Sequence, residues 1–371
     1  MFLVHGMLFG VWATQIPLIK ERLQLDTAIL GSALICAAIG GAAAMQFAGW
    51  LMRRLGAVTL LRITTLLGCG LLPVAVISEN VWMLGGVLVL FGAGSGLIDL
   101  VMNAQAVEVE VRAGRPIMSG LHGMWSLGGL CGAALGSLLL ALLTPVWQAA
   151  IMAGAGAALI LWVSASMLPM GGGPRHARAP RIRGLMWRGP LVMTGMLMAL
   201  AFSIEGVLLD WSAIFLREIH HLPASEAGLG YAAFAAAMLV GRLTGDRMRA
   251  RWSDRRMLQG PFLAALFLAF AALVPSSSAA IAGFALTGIM LCNVAPILFN
   301  VAGRLGEAAG PGGATQSVAA VVSFGYAGVM GGPPLMGFVA RQTSLPVALC
   351  VAAGFCLLLA LGARAIPAAR I

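Results

Sequence analysis

Apolar residues run along this chain in long unbroken stretches, and the polar residues fall into short gaps between them rather than alternating with them. A hydrocarbon core about 30 Å thick takes about 20 apolar residues in a helix, so each stretch predicts a membrane-spanning helix. Cutting at the charged and Gly/Pro-rich gaps gives twelve, near 1–18, 27–52, 57–78, 81–106, 116–143, 146–168, 190–213, 224–247, 257–274, 277–302, 312–340 and 344–364. At about 1.5 Å per residue the first barely spans, which predicts a first helix truncated at its N-terminus and an authentic start upstream of Met1. The stretch from Phe91 to Gly136 stands out, because it reads as an apolar helix, a charged turn and a second apolar helix with Asp99, Asn103 and His122 inside otherwise membrane-compatible sequence. An ionisable group in hydrocarbon costs at least a few kcal/mol and usually faces a watery interior, so this hairpin is expected to line a polar pathway.

Composition agrees with an all-α polytopic membrane protein. Of 371 residues 60% are hydrophobic and 10% charged, with a mean hydropathy of +0.95, against about 25% charged in soluble domains. The net charge of +10 does not mark a nucleic-acid binder, whose basic residues cluster on one face among stacking aromatics; here they sit in gaps between apolar runs. Twelve spans put both termini on one side. Only Lys20, Arg22, Arg217 and Arg341 of the 23 basic residues then fall in the gaps of the opposite side. That asymmetry places both termini of the multi-pass chain in the cytoplasm. All six cysteines (Cys36, Cys69, Cys131, Cys292, Cys350, Cys356) lie in predicted spans with no CxxC, so neither disulfide nor metal is expected. Met1 to Pro17 lacks a basic leader and a small-residue cleavage site, which argues against a signal peptide.

Between the sixth and seventh spans lies MGGGPRHARAPRIRGLMWRG, a basic Gly/Pro-rich segment. It divides the chain into a six-helix bundle over 1–168, a cytoplasmic linker over 169–189 and a second six-helix bundle over 190–371. The halves resemble each other in direct order. With a shift of 199, Trp12 meets Trp211 and Leu30-Gly31 meet Leu229-Gly230; with a shift of 194, Gly94, Asp99 and His122 meet Gly288, Asn293 and Gln316. Parallel six-helix repeats of this kind are used by secondary transporters with a central site.

Several motifs carry a family resemblance: GxGSGxxDxxMN in the fourth span (Gly92, Gly94, Asp99, Asn103), GRPxMSxLHGxWSLGG in the fifth (Arg115 to Gly129), EGVLLDWSAIFL in the seventh (Glu205 to Leu216) and AGLGYAAF…GRLTGD in the eighth. On these the chain resembles a major facilitator superfamily transporter, near the bacterial branch of the rhizopine and fucose permeases. The family's cytoplasmic G-x-x-x-D-R-x-G appears as Gly49-Trp-Leu-Met-Arg53-Arg54-Leu-Gly56, with Arg53 in place of the acid, whereas Asp246-Arg247 keeps an acid–base pair in the second half. The fourth-helix Arg of many proton-coupled members falls at Leu88. The fifth helix has a stripe of Gly128, Gly132 and Gly136 without the Pro of drug antiporters, and such a stripe predicts close helix packing.

The resemblance implies that helices 1, 4, 7 and 10 line a central cavity, that 2, 5, 8 and 11 form the moving interface, and that 3, 6, 9 and 12 stand outside. The ionisable residues and strong amides found well inside the spans are His5 (helix 1), Asp99 and Asn103 (4), His122 (5), Glu205 (7), Asn293 and Asn300 (10) and Gln316 (11), with Gln46 (2) as a further candidate. None belongs to the outer four. Ser95, Asp99 and Asn103 share one helix face, as do Ser119, His122 and Ser126. Such stripes supply donors and acceptors for a polar solute, and Trp12, Trp125 and Trp211 offer flat faces of the kind on which sugar rings stack; the competing reading of Trp211 is an interfacial anchor.

The expected function is therefore secondary active transport of a small hydrophilic, sugar- or polyol-like metabolite by proton symport, through a monomer that needs no cofactor; the alternative is a proton-driven exporter. Burial penalises the charged form of a carboxyl and so lets a cavity acid load and release protons, which nominates Asp99 and Glu205 for coupling; Asp99 paired with Arg115 as a structural bond is the competing reading. His5, Trp12, Asn103, His122, Trp125, Asn293, Asn300 and Gln316 are the substrate candidates. Arg53, Arg54, Glu108, Arg115, Asp246 and Arg247 are the cytoplasmic gate candidates. Asp210, near the outer end, is either a gate residue or solvated. Glu218-Ile-His220-His221 has no third ligand at a recognisable spacing. The absence of HExxH, GxSxG and paired cavity acids on one helix argues against an intramembrane enzyme.

Overall fold

The computed structural model describes residues 1–113, 117–167, 189–307 and 313–366. These residues are all-helical, with no strand among them. The first six spans are single helices: α1 (Phe2–Arg22), α2 (Thr27–Leu55), α3 (Ala57–Ile77), α4 (Val81–Ala113), α5 (Met118–Leu140) and α6 (Pro145–Ser164). The seventh is α7 (Gly189–Glu218), the eighth a short turn α8 (Ala224–Ala227) running into α9 (Leu229–Arg251), and the ninth α10 (Asp254–Met257) with α11 (Gly260–Leu273). The tenth is split into α12 (Ser277–Leu291) and α13 (Val294–Glu307), followed by α14 (Gly313–Gln342) and α15 (Leu345–Arg364). Eleven stretches of the described residues are long and apolar enough to cross a bilayer, and the 30-residue α14, which contains Pro333 and Pro334, is the twelfth helix.

Elementary chain chemistry sets the breaks. Asp26 caps α2, its Oδ1 accepting the Ile29 N–H at 2.7 Å, and Gly56, at φ +76°, makes the abrupt step into α3 that a residue with a Cβ resists. The interruption of the tenth span at Cys292–Asn293 has its cause four residues on. Pro296 lacks the N–H that would bond the Cys292 carbonyl, and its ring crowds that carbonyl. The expectation of one continuous helix over 277–302 is thereby corrected.

Packing repeats between the halves. α1 lies on α5 and α7 on α14; α2 lies on α4 and α9 on α12; across the halves α5 meets α9 and α2 meets α14. Helices approach most closely where glycines face backbone. On the α1–α5 joint a Cβ at Gly6 would strike the Trp125 carbonyl, one at Gly128 the Leu3 carbonyl and one at Gly132 the Met7 carbonyl. The glycine stripe of the fifth span is thus a packing surface, and Gly328 against Ala199 plays the same part between α14 and α7. Trp211 is buried at 1% exposure, its Nε1 donating to the Pro333 carbonyl at 2.9 Å, so it locks α7 to α14 and is not an interfacial anchor.

Candidate functional site

The seam between the halves holds the polar chemistry. On α9, Tyr231 lies against Gly129 of α5, and Arg242, about three turns on along the same face, reaches both α5 and α7. Arg242 Nη2 lies 3.3 Å from both carboxylate oxygens of Glu205 on α7, and its Nη1 donates to Ser126 Oγ of α5, in the other half, at 2.6 Å. The pair is deeply placed, with side chains 7% and 18% exposed. A charge taken out of water stays charged only where a partner compensates it, so Arg242 and Glu205 hold each other in place. Arg242 stands inside the eighth span and is the counter-ion of the coupling candidate. The Arg242 charge also reaches His122, whose ring sits edge-on to Phe2 at 5.3 Å.

Along the seam towards the α1–α2 loop, residue numbers rise on α5 as they fall on α8 and α9. The space at Gly129 is filled by the Tyr231 hydroxyl, and the space at Gly228 by Ser137 and Thr14. Asp210, five residues after Glu205 on α7, is 8% exposed and accepts the indole N–H of Trp12 at 3.3 Å across the halves. It is therefore buried rather than solvated, and α7 does carry two buried acids. Trp12 is 4% exposed and packs near Phe91, so it bridges helices rather than standing open as a stacking platform.

Beyond Trp12 the two halves are clasped by ion pairs. Lys20 pairs with Glu218, Arg217 with Glu21 at 3.0 Å and Arg341 with Asp26 at 3.9 Å. Among the ion pairs found in the described residues, those that cross between halves all lie at this end. None of these six residues stood among the gate candidates, because in sequence each is one charge in a short loop or helix end. His220, beside this clasp, sets its ring edge-on to Phe215 at 5.3 Å; burial and then the neighbouring His221 lower its pKa.

The remaining candidates are distributed as follows. Asn103 Nδ2 donates to the Asp99 carbonyl at 2.8 Å and to its Oδ1 at 3.2 Å, a second polar pair, confined to α4. His5 is 3% exposed, lies edge-on to Phe9 at 5.1 Å, and has no hydrogen-bond partner on either ring nitrogen. Trp125 is half-buried beside Phe9. Asn293 fills the space at Gly245 and donates to the Gly241 carbonyl at 3.4 Å; its amide joins the break of the tenth span to α9 rather than facing an open cavity. Asn300 is exposed on α13. The side chains of Gln316 and Asp246, and all of Arg115, lie outside the described residues.

At the other end, Glu108 pairs with Arg112 at 2.9 Å within α4, so these charges sit on the helix rather than in a turn. Arg53 and Arg54 are exposed in the last turn of α2, Arg54 lying 5.4 Å over Trp50, and Arg247 is exposed on α9. Gln148, on an outer helix, is fully buried and pairs with Gln15, an exception to the expectation that polar groups avoid the sixth span. It escaped notice because it lies near the start of its helix.

Twelve helices in two repeating sets around a polar seam define a polytopic membrane protein of the transporter class. Residues 1–323 match the Major Facilitator Superfamily, and the chain belongs to it. An uncharacterized MFS-type transporter of Yersinia pestis is 38% identical over 98% of this chain and 94% of its own length. The membrane protein MosC of Rhizobium meliloti is 29% identical over 94% and 84%. Among solved structures, the nucleoside transporter NupG superposes with a TM-score of 0.78 at 14% identity, covering 98% of this chain and 96% of its own. A bacterial homologue of the lysosomal transporter Spinster, inward-facing and occupied, gives 0.73 at 15% identity over 98% and 94%, and the Escherichia coli fucose:proton symporter FucP gives 0.57 at 16% over 99% and 98%. At these identities the structural likeness is one of fold.

Proposed function

We propose that this transporter carries a small hydrophilic metabolite, of the sugar or polyol kind, by alternating access and in symport with protons. The observation that carries the reading is the bond set Glu205–Arg242–Ser126, an ion pair inside the spans with its third contact in the opposite half. A proton taken up by Glu205 removes the charge that holds Arg242, and so changes a contact on which the fit of the two halves depends. Asp99, with Asn103, is the second coupling candidate, and His122 and Trp125 on α5 the nearest substrate candidates to this centre. In this reading both termini and the 169–189 linker are cytoplasmic, the protein works as a monomer in the inner membrane, and the ion-paired clasp is the outer gate in its closed state.

The test is transport in proteoliposomes with a pH gradient imposed in each direction, against a panel of labelled monosaccharides, polyols and nucleosides. An inside-alkaline gradient is expected to accelerate uptake, and Glu205→Gln to abolish that acceleration while leaving exchange of substrate across the membrane. Uptake indifferent to both the gradient and the substitution would sink the coupling; acceleration of efflux alone would make the protein an exporter.

A further inference from the structure

Asp210 is a buried acid that the coupling reading does not use. Its carboxylate is 8% exposed and accepts Trp12 Nε1–H at 3.3 Å; the salt bridges of the described residues include none to it. The nearby cations are taken: Lys20 by Glu218, Arg217 by Glu21 and by the Leu222 carbonyl, Arg242 by Glu205 and Ser126. Of the helices packed on α7, α1 brings Trp12 to Asp210, and α9 brings Tyr231, which lies within electrostatic range of Asp210, Glu205 and Arg242 alike. α14 brings Arg341, itself paired with Asp26. The bond to Trp12 joins the first helix of one half to the first helix of the other, directly below the clasp.

We infer that Asp210 is a second proton-binding site of the transport cycle, and that its burial against Trp12 makes opening of the clasped end depend on protonation. The inference rests on the alternating-access reading, and it goes further by assigning a proton to a residue apart from Glu205. The chemistry is simple. As a carboxylate, Asp210 accepts a charge-assisted hydrogen bond from the indole, roughly twice as strong as a neutral one. That one bond does not repay taking the charge out of water, which penalises the ionised form in the closed arrangement; a proton from the outer solution that forms an O–H on the carboxyl removes this penalty and favours closure, although the bond from Trp12 becomes a neutral one. No other atom changes hands. Acid therefore closes this end and alkali opens it. Trp12 and Asp210 act together as the sensor; the outer ion pairs, solvated and screened, supply closure that protonation of Asp210 does not touch.

The experiment reads the width of the clasped end directly. Spin labels on cysteines placed at Glu79 and Thr343, one exposed loop position in each half, report their separation by pulsed dipolar spectroscopy in a chain whose six native cysteines are replaced. The unmodified seam is expected to show a long-distance population that shrinks on acidification. Asp210→Asn, which keeps the shape and the acceptor but carries no charge, is expected to lower the open-to-closed ratio at alkaline pH by about fivefold and to remove its dependence on pH. Trp12→Phe, which takes away the donor that partly compensates the charge, is expected to raise that ratio at alkaline pH and keep a pH response, and Asp210→Glu to keep one as well. Glu205→Gln, by contrast, is expected to lose gradient-driven uptake and keep the pH-dependent distance. If the pH response persists in Asp210→Asn, or vanishes only in Glu205→Gln, Asp210 is not a proton site even though proton coupling at Glu205 stands. A separation independent of pH in the unmodified seam overturns the inference outright.

Discussion

Replacing Arg242 by Met keeps an unbranched apolar stem and removes the guanidinium with its charge. Glu205 then remains in a site where its carboxylate is 18% exposed with no cation, and Ser126 loses a 2.6 Å bond from a charged donor. Removing one partner of a buried ion pair costs about 3–5 kcal/mol, and the charged hydrogen bond to Ser126 is part of that loss, at about 1.5–3 kcal/mol. Replacing both partners is different, because an uncharged pair of similar volume is often no less stable than the ion pair. The expected pattern in thermal melts of purified protein is therefore a fall of several degrees for Arg242→Met, a smaller one for Glu205→Gln, and recovery of most of the loss in the double variant. Expressed as a cycle, the interaction energy should be about 2 kcal/mol or more. Single losses that add to the double within about 0.5 kcal/mol would refute the pair as a determinant of the seam, as would an Arg242→Met variant that melts like the parent.

Other outcomes follow from the joints and the clasp. Gly10→Ala or Gly132→Ala places a methyl group against the backbone of the facing helix and should destabilise by about 1–3 kcal/mol, measured by the temperature at which detergent-solubilised protein aggregates. Reversing charge at Glu21 or Arg217 alone should raise the outer accessibility of the seam to a membrane-impermeant thiol reagent, and reversing both should restore it; each exposed pair contributes about 0–1 kcal/mol, so the effect should shrink in high salt. Trp211→Phe leaves the Pro333 carbonyl without its indole donor and should cost about 1–3 kcal/mol, read in the same melt.

The fold was legible because its signal is coarse. Apolar runs of about 20 residues separated by charged gaps are read one at a time, and the shifts of 199 and 194 residues relate helices that do pack in corresponding pairs, α1 on α5 and α7 on α14. The polar seam was legible only in part. Glu205 announces itself as an acid among apolar neighbours, but Arg242 sits close enough to the basic loop that its long side chain reads as one able to reach water; only its partner 37 residues away fixes it inward. Asp210 and Trp12 lie 198 residues apart, and two of the clasp's three pairs join charges 196 and 198 apart, a range at which periodicity says nothing. Asn293 shows the opposite failure: its polarity predicted an open cavity, whereas packing against Gly241 and Gly245 absorbed it. The break beside it did have a local signal in Pro296, outweighed by the apolar run on either side.

Where α1 meets α5 main chain rests on main chain, and there is no layer of flexible side chains between them to take up slack. A helix pair built that way tilts as one piece or not at all. Any displacement produced when solute or proton arrives must then be expressed where side chains still intervene, as the Tyr231 hydroxyl does at Gly129 between α5 and α9. Substitutions that speed or stall turnover without altering affinity should accordingly gather along that line of contact, and be scarce inside either bundle.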